Sequence, residues 1–202
     1  MGKIQKAIQK NTIKIFFVRH GETNYNAGKI KQGQLDIPLN QNGITQAEQT
    51  AERLFQEIKG EDRGKICIVS SDLQRAKTTA KKIKDKLNLP KLETSKIFRE
   101  AHFGIAQGKP KKELKTQYYS HPKYWNFKHK GENSETREEV ANRFNKGFKK
   151  YIDKNLDKKI IIFVSHSNCI KNFLEKYVIG EEVPKLKNCE YKYLEVCNLK
   201  TN

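Results

Sequence analysis

Three groups of residues in this sequence could do chemistry together, because each comes after a run of apolar residues. Arg19 and His20 follow the first run, Arg75 lies just beyond the second, and Ser165-His166-Ser167 closes the third. Guanidinium groups match phosphate oxygens through paired hydrogen bonds, and a neutral imidazole can accept a phosphoryl group near neutral pH. These residue types therefore predict a phosphate pocket in which either His20 or His166 is the nucleophile.

Other active-site chemistries fit the pattern less well. His20, His166 and a carboxylate could form a zinc site, but two arginines in the same pocket would repel a cation. No cysteine is followed by an arginine at the C-x5-R spacing, and neither a G-x4-G-K-[ST] loop nor a D-x-D pair occurs. We therefore predict histidine chemistry without a metal.

Alternating strand and helix patterns must position these residues. Continuous apolar runs predict buried strands, and apolar residues at helical spacing predict amphipathic helices between them. The predicted strands are 12–18, 66–71, a short one near 92–97, 159–165 and an edge strand at 191–196. The predicted helices are 44–58, 73–87 with Asp72 as N-cap, 134–152 and 170–177.

This alternation is typical of an α/β fold with a sheet covered on both faces. We expect a single three-layer domain with a mostly parallel central sheet, spanning residues 13–199 after an N-terminal extension of residues 1–12. Residues 101–133 show no clean period and are predicted to be a substrate-side insertion of loops and short helices. Ligands of such sheets bind beyond the carboxyl ends of the strands, where the three groups would meet.

Composition restricts the expected partners. The formal net charge is +18, yet 34 of the 41 basic residues are lysines, and no zinc-finger spacing or dense arginine run occurs, so nucleic acid is an unlikely partner. No apolar run approaches the roughly 20 residues of a membrane span. Four cysteines without C-x-x-C spacing indicate reduced thiols and a cytoplasmic location. The composition does not predict the oligomeric state.

Five blocks in order resemble the histidine phosphatase superfamily, also called the phosphoglycerate mutase-like family, over roughly residues 13–199. The first carries the RHG signature at Arg19-His20-Gly21 and continues through "DIPLN" (36–40). The others are "SSDLQRAKTTA" (70–80), "FREAHFG" (98–104), "GENSET" (131–136) and "VSHSNCIK" (164–171). The resemblance implies a phosphoglycerate mutase-like fold.

The resemblance also implies roles for five residues. His20 would be the nucleophile that forms phosphohistidine, and Arg19, Arg75 and His166 would bind the phosphoryl group. Glu100 would protonate the leaving oxygen and then activate water, as general acid and base. No metal and no other cofactor is implied.

Further positions are expected around the phosphate. Asn26 and the N–H groups near Ser167 would complete the phosphate pocket, and Thr23, Gln32 and Gly33 would line the substrate side. The sequence departs from the family pattern at Ser167-Asn168, where Gly-Gly or Gly-Ala is frequent, and at Ala106-Gln107-Gly108, where W-E-G is familiar. Both departures concern substrate preference rather than the catalytic groups.

The expected function is hydrolysis of a small phosphorylated metabolite through a phosphohistidine intermediate. The alternative is a cofactor-dependent phosphoglycerate mutase, which would use 2,3-bisphosphoglycerate and extra basic residues. Between Ala101 and Ser165 the only arginines are Arg137 and Arg143, which favours the phosphatase. Three lysines of the insertion could contact an anionic substrate tail or form a solvated loop face: Lys109, Lys111 and Lys112.

A second alternative is a non-catalytic protein that binds a phosphate ligand, although all five presumed catalytic residues are present.

Overall fold

Two stretches of the chain, residues 11–117 and 134–198, are described by the structure, which is a computed structural model. Most of the predicted N-terminal extension, residues 1–10, and residues 118–133 of the predicted insertion lie outside them. The first strand begins at Asn11, so Asn11 and Thr12 belong to the sheet and not to the extension.

The elements alternate as the sequence predicts. The strands are β1 (Asn11–Arg19), β2 (Ile66–Ser71), β3 (Glu93–Ser95), β4 (Ile160–Ser165) and β5 (Tyr191–Asn198). The helices are α1 (Asn24–Ala27), α2 (Gln41–Glu57), α3 (Gln74–Lys86), α4 (Lys111–Gln117), α5 (Arg137–Lys154) and α6 (Ser167–Leu174). A π-helical turn, Glu175–Ile179, extends α6. In the predicted insertion, a 3-10 turn at Gly104–Ala106 and α4 are the elements within the described residues.

The strands form one sheet in the order β3-β2-β4-β1-β5. Strands β1 to β4 are parallel, and β5 pairs antiparallel with β1 at one edge. The predictions of a mostly parallel sheet and of a final edge strand are confirmed. Because β1 and β4 are neighbours, with Arg19 paired to Ser165, the residues that follow each strand emerge side by side.

Alternate residues of the strands bury their side chains on opposite faces of the sheet. On β1, Ile15 and Phe17 enter one apolar core with residues of α5 and α6, whereas Phe16 and Val18 enter another with residues of α2 and α3. The first core is rich in aromatic rings, such as Phe144 and Phe173, whose centroids are 4.7 Å apart. Helices therefore cover both faces, and the two cores hold the strands rigidly beneath the edge of the sheet at which β1 and β4 end.

The start of α3 differs from the prediction. Asp72 was expected to be its N-cap, but Leu73 has that position and makes no capping hydrogen bond through its side chain. Asp72 instead forms a two-bond ion pair with Arg99, at 2.7 and 2.6 Å. The competing interaction is with a residue 27 positions away, which periodicity and capping preferences cannot reveal.

The glycine of the RHG signature is required by packing against α2. A Cβ atom on Gly21 would meet the carbonyl oxygen of Gly43, and one on Gly43 would meet the carbonyl oxygen of Glu22. The Gly21 N–H also donates to the Thr79 hydroxyl at 3.1 Å. The segment after β1 is thus held between α2 and α3, which fixes the position of His20.

Candidate active site

A cavity of about 630 Å³ opens at the carboxyl ends of β1 and β4. Eight of the ten predicted site residues line it: Arg19, His20, Asn26, Gln32, Gly33, Arg75, Glu100 and Ser167. His166 is fully buried beside them, with its ring centroid 5.0 Å from that of His20. Thr23 is also buried and is not among the residues that line the cavity.

The protonation of His20 is set by its own loop. Its Nδ1 lies 2.7 Å from the carbonyl oxygen of Gly21. A carbonyl oxygen can only accept a hydrogen bond, so Nδ1 carries the proton and Nε2 keeps its lone pair. Burial and the positive charges of Arg75 and Arg19 lower the pKa of His20 well below 6.5, against an opposing effect of the Gly21 hydrogen bond. His20 is therefore a neutral imidazole with a free electron pair at neutral pH.

Two guanidinium groups, those of the buried Arg75 and the half-buried Arg19, are held by backbone carbonyls. Arg75 is 1% exposed and donates to the carbonyl oxygens of Leu35 at 2.7 Å and Gly33 at 2.6 Å. Arg19 donates to the carbonyl oxygen of Leu186 at 2.8 Å. Burial lowers the pKa of Arg75 to about 10, so it stays protonated at neutral pH. The carbonyls fix each guanidinium without cancelling its charge.

Several buried polar atoms around this cavity have no hydrogen-bond partner among the described residues. They are the Nε atoms of Arg19 and Arg75, both ring nitrogens of His166 and the hydroxyl of Ser167. Buried polar groups in native proteins are nearly always paired. Two cations and several unpaired polar groups in one place are suited to an oxygen-rich anion.

Glu100 is the acidic residue of the cavity lining, and α6 binds its carboxylate. Oε1 accepts from the N–H groups of Ala101 at 2.9 Å and Cys169 at 3.2 Å, and Oε2 accepts from the N–H of Asn168 at 3.3 Å and its side-chain amide at 3.1 Å. The N–H groups near Ser167 were expected to complete the phosphate pocket. In this structure, those of Asn168 and Cys169 are taken up by Glu100.

An ion pair behind the cavity holds the backbone of Glu100. Arg143 forms two hydrogen bonds with the Glu135 carboxylate, at 2.7 and 2.9 Å. The same guanidinium donates to the carbonyl oxygens of Ile97 at 2.7 Å and Glu100 at 3.3 Å. Glu135 in turn accepts from the N–H of His102 at 2.9 Å. This role of Arg143 was not predicted from the sequence, because the carbonyl groups that it binds, those of Ile97 and Glu100, lie in a distant segment of the chain.

The remaining predicted residues shape the rim. Thr23 caps α1 and donates to Oδ1 of Asn26 at 3.1 Å, so it orients Asn26 instead of lining the cavity. Gly33 has a φ of 56°, and the Gln107 side chain occupies the space that a Cβ would need. Gln107 belongs to one of the two segments that depart from the family pattern, and it accepts from the N–H of Gln34 at 2.7 Å.

Within residues 11–117 and 134–198, no group of three or more histidine, cysteine or carboxylate side chains could hold a metal ion. Over those same ranges, no helix is both long enough and apolar enough to cross a membrane. Cys67, Cys169 and Cys189 are free thiols.

The two buried histidines are expected to make the fold sensitive to acid. Burial is the main cause that lowers the pKa values of both His20 and His166 well below 6.5. The unfolded chain, with ordinary histidines, therefore binds more protons than the fold once the pH drops below about 6.5. The free energy of unfolding should fall on acidification from pH 7 to pH 5, by up to about 1.4 kcal/mol per pH unit for each imidazole.

Urea unfolding of the wild type and of the His20→Asn/His166→Asn double variant at both pH values measures this effect. The double variant should lose less stability on acidification, since other titrating groups are common to both proteins. An equal loss in the two proteins would contradict the assignment of neutral, buried histidines.

A family model and several known proteins match this chain. The model of the histidine phosphatase superfamily (branch 1) matches residues 15–202. The "Uncharacterized phosphatase PhoE" of Bacillus subtilis (strain 168) is 36% identical over 174 residues, which cover 86% of this chain and 81% of that protein. The "Probable phosphoglycerate mutase GpmB" of Yersinia pestis (strain Pestoides F) is 39% identical over 98 residues, but these cover only 48% of this chain and 42% of that protein.

Solved structures share the architecture. A mycobacterial glucosyl-3-phosphoglycerate phosphatase complexed with VO3 superposes with a TM-score of 0.78 at 25% identity, covering 90% of each chain. A phosphoglycerate mutase from Bacillus anthracis superposes with the same TM-score at 20% identity, covering 95% of this chain and 91% of that one, which shows a common fold. The predicted phosphoglycerate mutase-like α/β fold is thus confirmed, and the chain is a phosphatase that belongs to branch 1 of the histidine phosphatase superfamily.

Proposed function

We propose that this protein hydrolyses small phosphomonoesters through a phosphohistidine formed on His20. The observation that carries the proposal is the neutral His20, with its lone pair on Nε2, beside Arg19 and Arg75, whose buried Nε atoms have no partner among the described residues. A phosphate dianion would be held there by charge-assisted hydrogen bonds. The substrates named for relatives, a glucosyl-3-phosphoglycerate and phosphoglycerate, are phosphomonoesters and support this class.

In the first step, Nε2 of His20 attacks the phosphorus atom and forms an N–P bond while the ester P–O bond breaks. The departing oxygen takes a proton from the carboxylic acid of Glu100, so the alcohol leaves as a neutral molecule and Glu100 becomes a carboxylate. Arg19, Arg75 and His166 stabilise the charge on the equatorial oxygens during transfer. The Gly21 carbonyl stabilises the positive charge that the imidazole acquires, because its oxygen accepts a hydrogen bond from Nδ1–H.

In the second step, water replaces the departed alcohol. The Glu100 carboxylate removes a proton from this water, whose oxygen attacks the phosphorus as the N–P bond breaks. Inorganic phosphate leaves, the electron pair returns to Nε2, and Glu100 is protonated again. The two steps together consume one water and release one alcohol and one phosphate, so the enzyme is regenerated.

Phosphate release from a panel of esters tests the proposal. The purified protein should release inorganic phosphate from p-nitrophenyl phosphate and from at least one class of metabolite phosphates, with a metal chelator present throughout. Failure to release phosphate from every ester would contradict the hydrolase assignment.

The same panel of esters distinguishes the mutase alternative from the proposed hydrolysis. Three lysines that line the cavity, Lys31, Lys111 and Lys185, are the observation in its favour, because a mutase must hold a second phosphate. Interconversion of 2- and 3-phosphoglycerate, stimulated by 2,3-bisphosphoglycerate and faster than phosphate release, would establish that activity. We expect hydrolysis to dominate.

A further inference from the structure

Asn188 lies in the loop before β5 and contacts two residues of the candidate site. Its side-chain Nδ2 donates to the backbone carbonyl oxygen of His20 at 3.1 Å and to Oδ1 of Asn26 at 3.3 Å. Both of these oxygens can only accept hydrogen bonds, so the two N–H bonds of the Asn188 amide fix its orientation. No pattern in the sequence pointed to Asn188, which is 168 positions away from His20.

The hydrogen bonds of Asn26 fix which end of its amide faces the cavity. Three donors meet on its Oδ1: the N–H of Thr23 at 3.2 Å, the hydroxyl of Thr23 at 3.1 Å and Nδ2 of Asn188 at 3.3 Å. The Thr23 hydroxyl accepts from the Asn26 N–H, so its own hydrogen is available for Oδ1. A flip of the Asn26 amide would place an NH₂ group against all three donors. Nδ2 is therefore the polar atom that Asn26 offers to the cavity it lines.

The loop that carries Asn188 is bound to the end of β1 on both sides of that residue. After it, the Cys189 N–H donates to the carbonyl oxygens of Arg19 at 3.1 Å and His20 at 3.3 Å. Before it, the carbonyl oxygen of Leu186 accepts from the Arg19 guanidinium at 2.8 Å. Asn188 therefore cannot shift relative to His20 without breaking several hydrogen bonds.

The backbone at Cys189 shows how closely this loop is shaped. Its φ of 58° lies in the left-handed region, which residues other than glycine adopt rarely. Such a conformation costs free energy that the surroundings must offset. The carbonyl oxygen of Cys189 accepts from the Thr50 hydroxyl at 2.7 Å and from the Arg53 guanidinium at 3.2 Å, both on α2. These bonds hold the turn that brings the Asn188 amide to the site.

An amide NH₂ group at the wall of the cavity suits a phosphoryl oxygen. Hydrogen bonds to an ionised acceptor are shorter and stronger than those between neutral groups, whereas an amide oxygen in the same place would repel the anion. A donor that is already aimed at the anion needs no reorganisation when charge shifts during transfer. The orientation of the Asn26 amide thus decides whether it stabilises or destabilises a bound phosphate.

We infer that Asn188 is a positioning residue, which holds the His20 carbonyl and turns the Asn26 amide so that its Nδ2 donates to the phosphoryl group. This inference rests on the proposed function, in which that group binds beside His20. Asn188 itself is not among the residues that line the cavity. It should therefore affect phosphate binding through Asn26 and not by direct contact.

A double-mutant cycle, measured as calorimetric binding of inorganic phosphate, tests this coupling. Asn26→Ala should weaken phosphate binding by about tenfold, because a hydrogen bond to a charged group is lost. Asn188→Ala should weaken it by about threefold or more in the otherwise wild-type protein. In the Asn26→Ala background the same change should have less than about a twofold effect, because the amide that Asn188 orients is gone.

Thr50→Val is the matched control. It removes a hydrogen bond to the Cys189 carbonyl in the same loop, and within the described residues Thr50 hydrogen-bonds to neither His20 nor Asn26. This variant should have a lower free energy of unfolding, but the folded protein should bind phosphate within about twofold of the wild type. Equal losses of phosphate affinity in Thr50→Val and Asn188→Ala would assign the effect to the loop as a whole and overturn the inference.

A spectroscopic readout of the wild type does not depend on the folding of any variant. The side-chain NH₂ signals of Asn26, assigned by triple-resonance NMR, should move when inorganic phosphate is added. The movement should be smaller in Asn188→Ala, in which the amide is less firmly oriented. Unchanged Asn26 signals in the wild type at saturating phosphate would contradict the inference.

Two results of the cycle would also overturn it: an equal loss of phosphate affinity from Asn188→Ala in both backgrounds, or no loss in either. Since phosphate binding needs no turnover, these outcomes are separate from the fate of the proposed reaction. A protein that shows the coupling but hydrolyses no ester would contradict only the proposed hydrolase. Hydrolysis of esters without the coupling would contradict only the role of Asn188.

Discussion

The His20→Asn variant is expected to lose at least about a thousandfold in kcat on every phosphomonoester that the wild type hydrolyses. Asparagine can still donate a hydrogen bond to the Gly21 carbonyl, which His20 Nδ1 now contacts at 2.7 Å. The side-chain amide has no nucleophilic nitrogen, however, since its lone pair is delocalised into the carbonyl. The variant therefore keeps the local fold and removes the atom that forms the N–P bond.

Two controls make this result specific to His20. The His166→Asn variant should also be slow, but it should still acquire an acid-labile phosphate on His20 when it is mixed with labelled substrate and quenched in base. The His20→Asn variant should acquire none. A label that persists in His20→Asn and disappears in His166→Asn would assign the nucleophile to His166, the other buried imidazole of the pair.

Glu100→Gln is expected to show the second largest effect, and its size should depend on the leaving group. For alkyl phosphates, whose departing oxygen needs a proton, kcat/KM should fall by about 10²–10⁴. For p-nitrophenyl phosphate the leaving oxygen is stable as an anion, so formation of the phosphoenzyme should fall much less. The phosphoenzyme should then accumulate, because glutamine cannot remove a proton from the attacking water.

This expectation is tested by rapid-quench measurement of the labelled phosphoenzyme, together with the rates of hydrolysis of the alkyl phosphates and of p-nitrophenyl phosphate. Glu48→Gln provides the control, since Glu48 is an exposed carboxylate that pairs with Lys82. A loss in Glu100→Gln of the same size for alkyl and aryl esters would indicate that Glu100 only supports the structure of α6. Its hydrogen bonds to the N–H groups of Asn168 and Cys169 make that outcome a real alternative.

Sequence patterns predicted the strands and the order of the elements well, because buried strands and amphipathic helices have distinct periods. Continuous apolar runs marked β1, β2 and β4, and the residues after β1 and β4 were correctly expected to meet. The ends of the elements were predicted less well. Helix α5 was expected to begin at Ser134, but it begins at Arg137, because a capping box on Thr136 starts the helix there. Local hydrogen bonds decide such boundaries, and several residues nearby could have supplied them.

The protein's own sequence thus indicated the chemistry that we propose for the candidate site. Arginine and histidine types, placed directly after buried strands, indicated a phosphate pocket, and the five ordered blocks indicated the superfamily. These features are local, because each depends on residues within a short stretch of chain and on the general rule that parallel strands present their carboxyl ends together.

Only the tertiary structure decided which groups touch. It paired Asp72 with Arg99. It also turned two N–H groups of α6 toward the Glu100 carboxylate and hydrogen-bonded Arg143 to the backbone carbonyl of Glu100. It also brought Lys31 and Lys185, more than 150 positions apart, into one cavity. Such contacts depend on the packing of distant segments on both faces of the sheet, and neither periodicity nor residue type records that packing.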